Sequence, residues 1–193
     1  MGRIVAGGPN WTLLRRLDRV QQEEGEGMLD FLKKWRHAVL VGVLAGALVT
    51  APFTPERWGD RLAWSLPILA GGCSVVTGTW PELLVRFAAM EAVVQGAKSG
   101  LGEQDINARP RGGYRGFPSA HSAHAAFGAS ALAQDCVAGF PLIRAGLVVA
   151  AAFTGASRVD AGAHNAWQVL AGWIIGFGFE RLFRRRRRAG RTE

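Results

Sequence analysis

Charged residues are missing from four long stretches of this chain. No Lys, Arg, Asp or Glu occurs between Arg36 and Glu56, Arg61 and Glu82, Arg115 and Asp135, or Asp160 and Glu180. Each gap holds roughly 20 residues, the length of helix that crosses a hydrocarbon core. A soluble helical bundle places polar side chains every second turn along such stretches, so the gaps argue against that class. Cysteine is almost absent as well. Cys73 and Cys136 fall in or beside apolar stretches, and neither is spaced with a histidine as a metal site. They read as small core residues, with no disulfide framework expected. There is no Cys, five residues, Arg loop, no Asp-x-Asp pair and no carboxylate cluster of metal-binding grade. Thiolate, aspartyl and metal-dependent chemistries therefore lack support. No internal repeat is visible.

What is present is apolar and basic at once. Hydrophobic residues make up 49% of the chain, yet the formal charge is +8. The pattern predicts an all-α, six-transmembrane-helix bundle, with spans near Ala38–Phe53, Leu62–Trp80, Leu83–Ala97, Pro118–Val137, Pro141–Ser157 and His164–Phe183. The first run starts far from Met1 and has no small-residue cleavage site after it, so it reads as a retained helix. Arg3, Arg15, Arg16, Arg19, Lys33, Lys34 and Arg36 precede the first span; Arg181, Arg184 through Arg188 and Arg191 close the chain. By the positive-inside rule both termini are cytoplasmic, which requires an even number of spans. The expected organisation is a basic tail over 1–35, a six-helix domain over 36–183 and a second basic tail over 184–193. Trp11–Arg36 reads as an amphipathic helix on the inner leaflet, as a solvated tail, or as an over-extended start with Met28 as the real initiator. The arginine run reads as a topology anchor; nothing around it folds into a nucleic-acid reader. Trp35, Trp58, Trp64, Trp80 and Trp167 fall near span ends, as in an interfacial belt.

Two loops on the side opposite the arginine tail break the charge rule. One holds Lys98, Arg109, Arg111 and Arg115; the other holds Arg158. Cations placed against the topological bias point to an anionic substrate. The same loops carry His121 and His164. His121 lies in Phe117-Pro118-Ser119-Ala120-His121 at the start of an apolar helix, whose free N–H groups point at an anion. Two imidazoles, fixed guanidiniums, a hydroxyl and a helix N-terminus on one face suit phosphoryl transfer. One imidazole attacks phosphorus, the other protonates the leaving alkoxide, and the cations hold the equatorial oxygens.

These residues resemble the three motifs of the type 2 phosphatidic acid phosphatase superfamily. Arg109-Pro110 matches the end of Lys, six residues, Arg-Pro. Pro118-Ser119-Ala120-His121 matches Pro-Ser-Gly-His with Ala for Gly. Ser157-Arg158 and His164 match Ser-Arg, five residues, His. The resemblance covers about residues 36–183. It implies that His164 is a nucleophile forming a phosphohistidine and that His121 is the general acid. It also implies that Lys98, Arg109, Ser119, Ala120 and Arg158 bind phosphate, and that no metal or other cofactor is needed. The implied activity is that of an integral membrane lipid phosphatase, with its site on the outer, periplasmic face of a bacterial inner membrane. The implied partners are the bilayer and a lipid phosphate: phosphatidate, phosphatidylglycerol phosphate, an isoprenyl diphosphate or a lipid A phosphate. A lipid phosphotransferase and a catalytically silent scaffold of the same fold are the alternatives. A haloperoxidase on the same plan is disfavoured because those enzymes are soluble.

The sequence departs from the motifs at two points. Ten residues, not six, separate Lys98 from Arg109, which leaves Arg111 and Arg115 as competitors for the lysine's place. Gln168 stands where the family has an Asp that orients the nucleophile. Its carbonyl can hold the tautomer but brings no charge, so either Gln168 or Asp160 is expected to support His164, and an Asp at 168 is expected to raise turnover or at least retain it. His124 reads as a buried or helix-facing histidine. Arg86 is expected to snorkel to the inner face, and Glu91 to make a structural hydrogen bond or ion pair.

Overall fold

The computed structural model describes residues 54–182 without interruption, together with 34–35, 38–43, 45–46, 49 and 184. The chain divides into two compact units, Met1–Arg36 and His37–Glu193, and every helix from residue 38 onward belongs to the second. The expected amphipathic tail, part of the first expected span and the arginine run beyond Arg184 lie outside the described residues. The described residues from 38 to 49 are helical.

Among the described residues all regular structure is helical. From residue 54 onward the order is α1 (Pro55–Val76), α2 (Trp80–Gly100), a 3₁₀ turn (Asp105–Asn107), α3 (Ala120–Asp135), α4 (Pro141–Asp160) and α5 (Ala166–Leu182). Proline opens α1, α2 and α4, where its fixed φ suits the first turn and its missing N–H has no partner to lose. Gly78, with φ +72°, lets the chain leave α1 and turn into α2. Helix α3 lies at the centre, packed against α1, α4 and α5. Small residues make this approach possible. A side chain at Gly128 would fall 2.4 Å from the backbone N of Pro67 in α1, and one at Gly176 would fall 2.1 Å from the carbonyl of Ala123.

Several boundaries differ from the sequence reading. Helix α1 begins at Pro55, not Leu62, so Glu56, Arg57, Asp60 and Arg61 occupy its first two turns instead of a loop. Helix α2 runs through Lys98 to Gly100. Helix α5 begins at Ala166 and leaves His164 in the connection before it. The cysteines are also corrected: Cys73 of α1 and Cys136 at the end of α3 form a disulfide, with Cα atoms 6.2 Å apart.

Only α4 among the described helices is both long and apolar enough to cross a membrane. Helices α3 and α5 have 16 and 17 residues, and α1 and α2 carry charges within their length. Apolar side chains nonetheless stand on the outside of the bundle, and charged ones within it beside the apolar core. Ile68, Val85, Val148, Val149 and Ile174 stand 64–68% exposed on its outside, whereas Arg86 and Glu180 are 3% and 0% exposed within it. Arg86 does not snorkel. Its guanidinium donates to the Glu180 carbonyl at 2.7 Å and to its carboxylate at 3.1 Å, which joins α2 to α5 at the end of the bundle remote from the histidines.

Candidate active site

The loop between α2 and α3 is built around Asn107, a fully buried side chain that the sequence reading overlooked. Its amide donates to the carbonyls of Lys98 at 3.1 Å and Gly102 at 2.7 Å, and its side-chain oxygen accepts from Phe117 N–H at 3.0 Å. Its own carbonyl accepts from Gly116 N–H at 2.7 Å. An asparagine in a loop can satisfy neighbouring backbone in this way, which was the available signal. Arg115 adopts a left-handed conformation, φ 73°, and its carbonyl accepts from Lys98 Nζ at 2.9 Å and from Arg109 at 3.1 Å. The ten-residue separation thus still brings Lys98 and Arg109 to one point. Arg111 instead pairs with Glu56 at 3.2 Å, and Arg115 is exposed.

His164 is buried. Its Nδ1 lies 2.8 Å from the Gly116 carbonyl and 3.3 Å from the Gln168 side-chain oxygen. Both contacts are acceptors, so Nδ1 carries the proton and Nε2 keeps its lone pair. Burial, followed by repulsion from Lys98, holds the imidazole well below its ordinary pKa, at about 4, despite the Gly116 hydrogen bond. Gly116 leaves room for the Gln168 amide, since a Cβ there would fall 2.5 Å from Gln168 Nε2 and push that side chain off its partners. Gln168 also closes a capping box at the head of α5. Its Oε1 accepts from Asn165 N–H at 3.1 Å, and its own N–H donates to Asn165 Oδ1 at 2.9 Å. Its Nε2 donates to the carbonyls of Ile106 at 3.0 Å and Ala108 at 2.8 Å. Asp160, the alternative partner, is exposed at the end of α4 and makes no hydrogen bond to His164.

His121 sits in the first turn of α3. Ser119 caps that helix; its hydroxyl is buried and accepts from Ser122 N–H at 3.4 Å and from the Ser122 hydroxyl at 2.9 Å. The hydroxyl's visible work is structural, whereas the backbone N–H groups of Ala120 and His121 open the helix and lack intrahelical acceptors. Arg158, at the end of α4, is 3% exposed. It donates to Asp60 Oδ1 at 2.6 Å and to the Glu56 carbonyl, and its Nε reaches Ser157 Oγ at 3.4 Å. The same Asp60 oxygen lies 3.1 Å from His121 Nε2. The sequence reading gave Asp60 no role. Lys98 opposes a positive charge on both His121 and His164.

His124, one turn further along α3, is buried between the rings of Trp64 and Phe87, 4.8 and 5.4 Å away, with Nε2 on the Glu91 carboxylate. Among the described residues, no group of three or more His, Cys, Asp and Glu side chains is arranged to hold a metal ion.

Neither the curated proteins nor the solved structures contain a match to this chain. The family model of the PAP2 superfamily matches residues 68–190, a stretch that includes Lys98, Arg109, His121, Arg158 and His164. The match spans more than half of the sequence, and the chain therefore belongs to the PAP2 superfamily, whose members act generally as phosphatases.

Proposed function

We propose that this protein is an integral membrane lipid phosphatase that works through a phosphohistidine. The observation that carries the proposal is the state of His164: neutral, with its proton fixed on Nδ1 by the Gly116 carbonyl and its Nε2 free. Nε2 attacks phosphorus as the bond to the leaving alkoxide breaks, and His121 gives that oxygen its proton. Water then attacks the phosphohistidine, His121 takes up a proton from it, and the P–N bond breaks to release phosphate. Lys98, Arg109, Arg158 and the N–H groups of Ala120 and His121 stabilise the negative charge on the equatorial oxygens. Gln168 supports the imidazole as a second acceptor.

The apolar exterior of the bundle supports a bilayer setting, because exposed Ile, Val and Trp are costly in water and not in lipid. In this reading the histidine end faces the outside of a bacterial inner membrane and both termini are cytoplasmic. The substrate is a phosphomonoester or diphosphate on an apolar tail.

The test is phosphate release from a panel of lipid phosphates in detergent with EDTA present, alongside acid-quench trapping of the phosphoenzyme. Release that survives EDTA, with trapped label lost in His164→Ala, supports the proposal. Label that persists in His164→Ala, or release that requires added Mg²⁺, overturns it. Phosphate passed to an added lipid or sugar hydroxyl instead of water would mark a phosphotransferase.

A further inference from the structure

We propose that Asp60 is a positioning residue of this site: its carboxylate, in the second turn of α1, bridges His121 and Arg158, orients the imidazole and favours its taking up the proton that serves the leaving oxygen. The inference rests on the reading of His121 as the general acid. Asp60 lies outside the stretch matched by the PAP2 model, so nothing in that match assigns it a role.

The geometry is specific. One oxygen, Oδ1, stands 2.6 Å from Arg158 and 3.1 Å from His121 Nε2. The corner is also built for close approach. At Gly59, the residue before Asp60, a Cβ would lie 1.9 Å from Ser157 Oγ and 3.3 Å from the Arg158 guanidinium. Only without a side chain at 59 does α1 come near enough for Asp60 to reach across to α4 and α3.

The charges around His121 give the contact its meaning. Burial first, then Arg158 from α4, His124 on α3 and Lys98 from α2, oppose a positive charge there. Glu56 of α1 stands 3.9 Å from Arg158 and is turned to Arg111, at 3.2 Å. Among the described residues, Asp60 is the carboxylate that touches His121. An opposite charge at hydrogen-bonding distance favours the imidazolium. The imidazolium keeps its Nε2 proton on Asp60 and gives its other N–H proton to the oxygen whose bond to phosphorus breaks. His121 ends neutral and Asp60 remains ionised throughout.

The two histidines differ in what they touch. His164 meets only neutral acceptors, the Gly116 carbonyl and Gln168, and stays an uncharged nucleophile. His121 meets a carboxylate, which favours its charged form relative to the same site without Asp60. In this chain the contacting carboxylate stands at the acid, whereas the motif puts one at the nucleophile and has Gln168 there instead.

The experiment compares Asp60→Asn and Asp60→Glu in the full-length protein in detergent, with two substrates. One is an alkyl phosphate, whose leaving oxygen needs a proton; the other is a nitro-substituted aryl phosphate, whose leaving group does not. Asp60→Asn is expected to lower kcat for the alkyl ester by roughly 10²-fold, the lower range for lost acid catalysis, with the aryl ester little changed. The basic limb of the alkyl-ester profile should move to lower pH, and Asp60→Glu should recover part of the rate. Histidine ring NMR of the unliganded protein should show the His121 titration midpoint falling in Asp60→Asn, a readout that needs no turnover. Equal loss on both esters in both variants, or an unmoved His121 midpoint, overturns the proposal. Absence of phosphate release from the wild type would remove the phosphatase reading, while the NMR titration would still decide whether Asp60 controls the His121 proton.

Discussion

The backbone carbonyl of Gly116 lies nearer to His164 Nδ1, at 2.8 Å, than the Gln168 side chain does, at 3.3 Å. The tautomer is therefore set first by backbone, and Gln168 is a second acceptor whose amide is engaged elsewhere. That amide donates to two carbonyls, Ile106 and Ala108. A carboxylate at 168 would turn oxygen toward both of them. The expectation that Asp improves turnover is thereby revised: Gln168→Asp and Gln168→Glu should each lower the thermal midpoint and the rate. A polar group left unsatisfied costs about 1–3 kcal/mol. Gln168→Leu should lose stability to a similar degree while the Gly116 bond preserves much of the chemistry. Thermal unfolding in detergent, read beside kcat, separates the two effects. A more active Gln168→Asp enzyme would show that the Gly116 carbonyl does not suffice.

The depressed pKa of His164 has a definite sign in pH profiles. The folded protein keeps this imidazole neutral down to about 4, whereas the unfolded chain takes up the proton near its ordinary value of 6.5. Between those values the unfolded state binds more protons. This group's share of stability is thus full above 6.5 and falls away as the pH drops toward 4. In catalysis, the His164 contribution to the acidic limb of kcat/KM should lie near 4. Lys98→Met removes the largest repelling charge and should move that limb upward relative to wild type on the same substrate, with a higher KM from the lost cation. An unmoved limb would mean that Lys98 does not face His164.

The histidines and the cations near them could be read from the sequence because each motif is short: Ser119 and His121 share a helix start, and Arg158 and His164 flank one connection. What could not be read is long-range. Asp60 meets Arg158 across 98 positions, and the charges from Glu56 to Arg61 look like a break between apolar runs. Counting charges placed that break in a loop, whereas Pro55 and Gly78 set the helix ends. Arg86 carries no sign in sequence that a glutamate waits for it on α5. Nor does spacing show that Cys73 and Cys136 face one another, since their contact depends on how α1 crosses α3.

The Arg86–Glu180 pair predicts a stability defect separate from chemistry. Both side chains are buried, and Glu180 also meets Arg184, Arg181 and Ser130, so its removal strips Arg86 of its counter-charge and Arg184 of one of two carboxylates. Glu180→Ala should destabilise the fold by about 3–5 kcal/mol, the usual cost of breaking a buried pair. The site lies at the opposite end of the bundle, so turnover per folded molecule should hold at a temperature where the variant remains folded. Denaturation midpoints and active-site titration measure the two quantities separately. A rate loss without a stability loss would tie this pair to catalysis instead.

Gly59→Ala tests whether the approach of α1 to Arg158 matters, without adding or removing a charge. The added methyl group would sit 1.9 Å from Ser157 Oγ and 2.9 Å from Ser157 Cβ. Rotation of the hydroxyl relieves the first contact but not the second, so α1 has to move away from α4. Overpacking of this kind costs about 1–3 kcal/mol. The same movement lengthens the 2.6 Å contact of Asp60 with Arg158 and its 3.1 Å contact with His121. Gly59→Ala should therefore lose more turnover than stability, with the larger loss on substrates whose leaving oxygen needs a proton. Gly71→Ala, on the same helix, is the control, because nothing lies within 4 Å of a Cβ there. That variant should keep both rate and midpoint, and in the helix interior alanine suits the backbone better than glycine. If Gly59→Ala is as active as Gly71→Ala, close packing at this corner is not what holds Asp60 on the two catalytic partners.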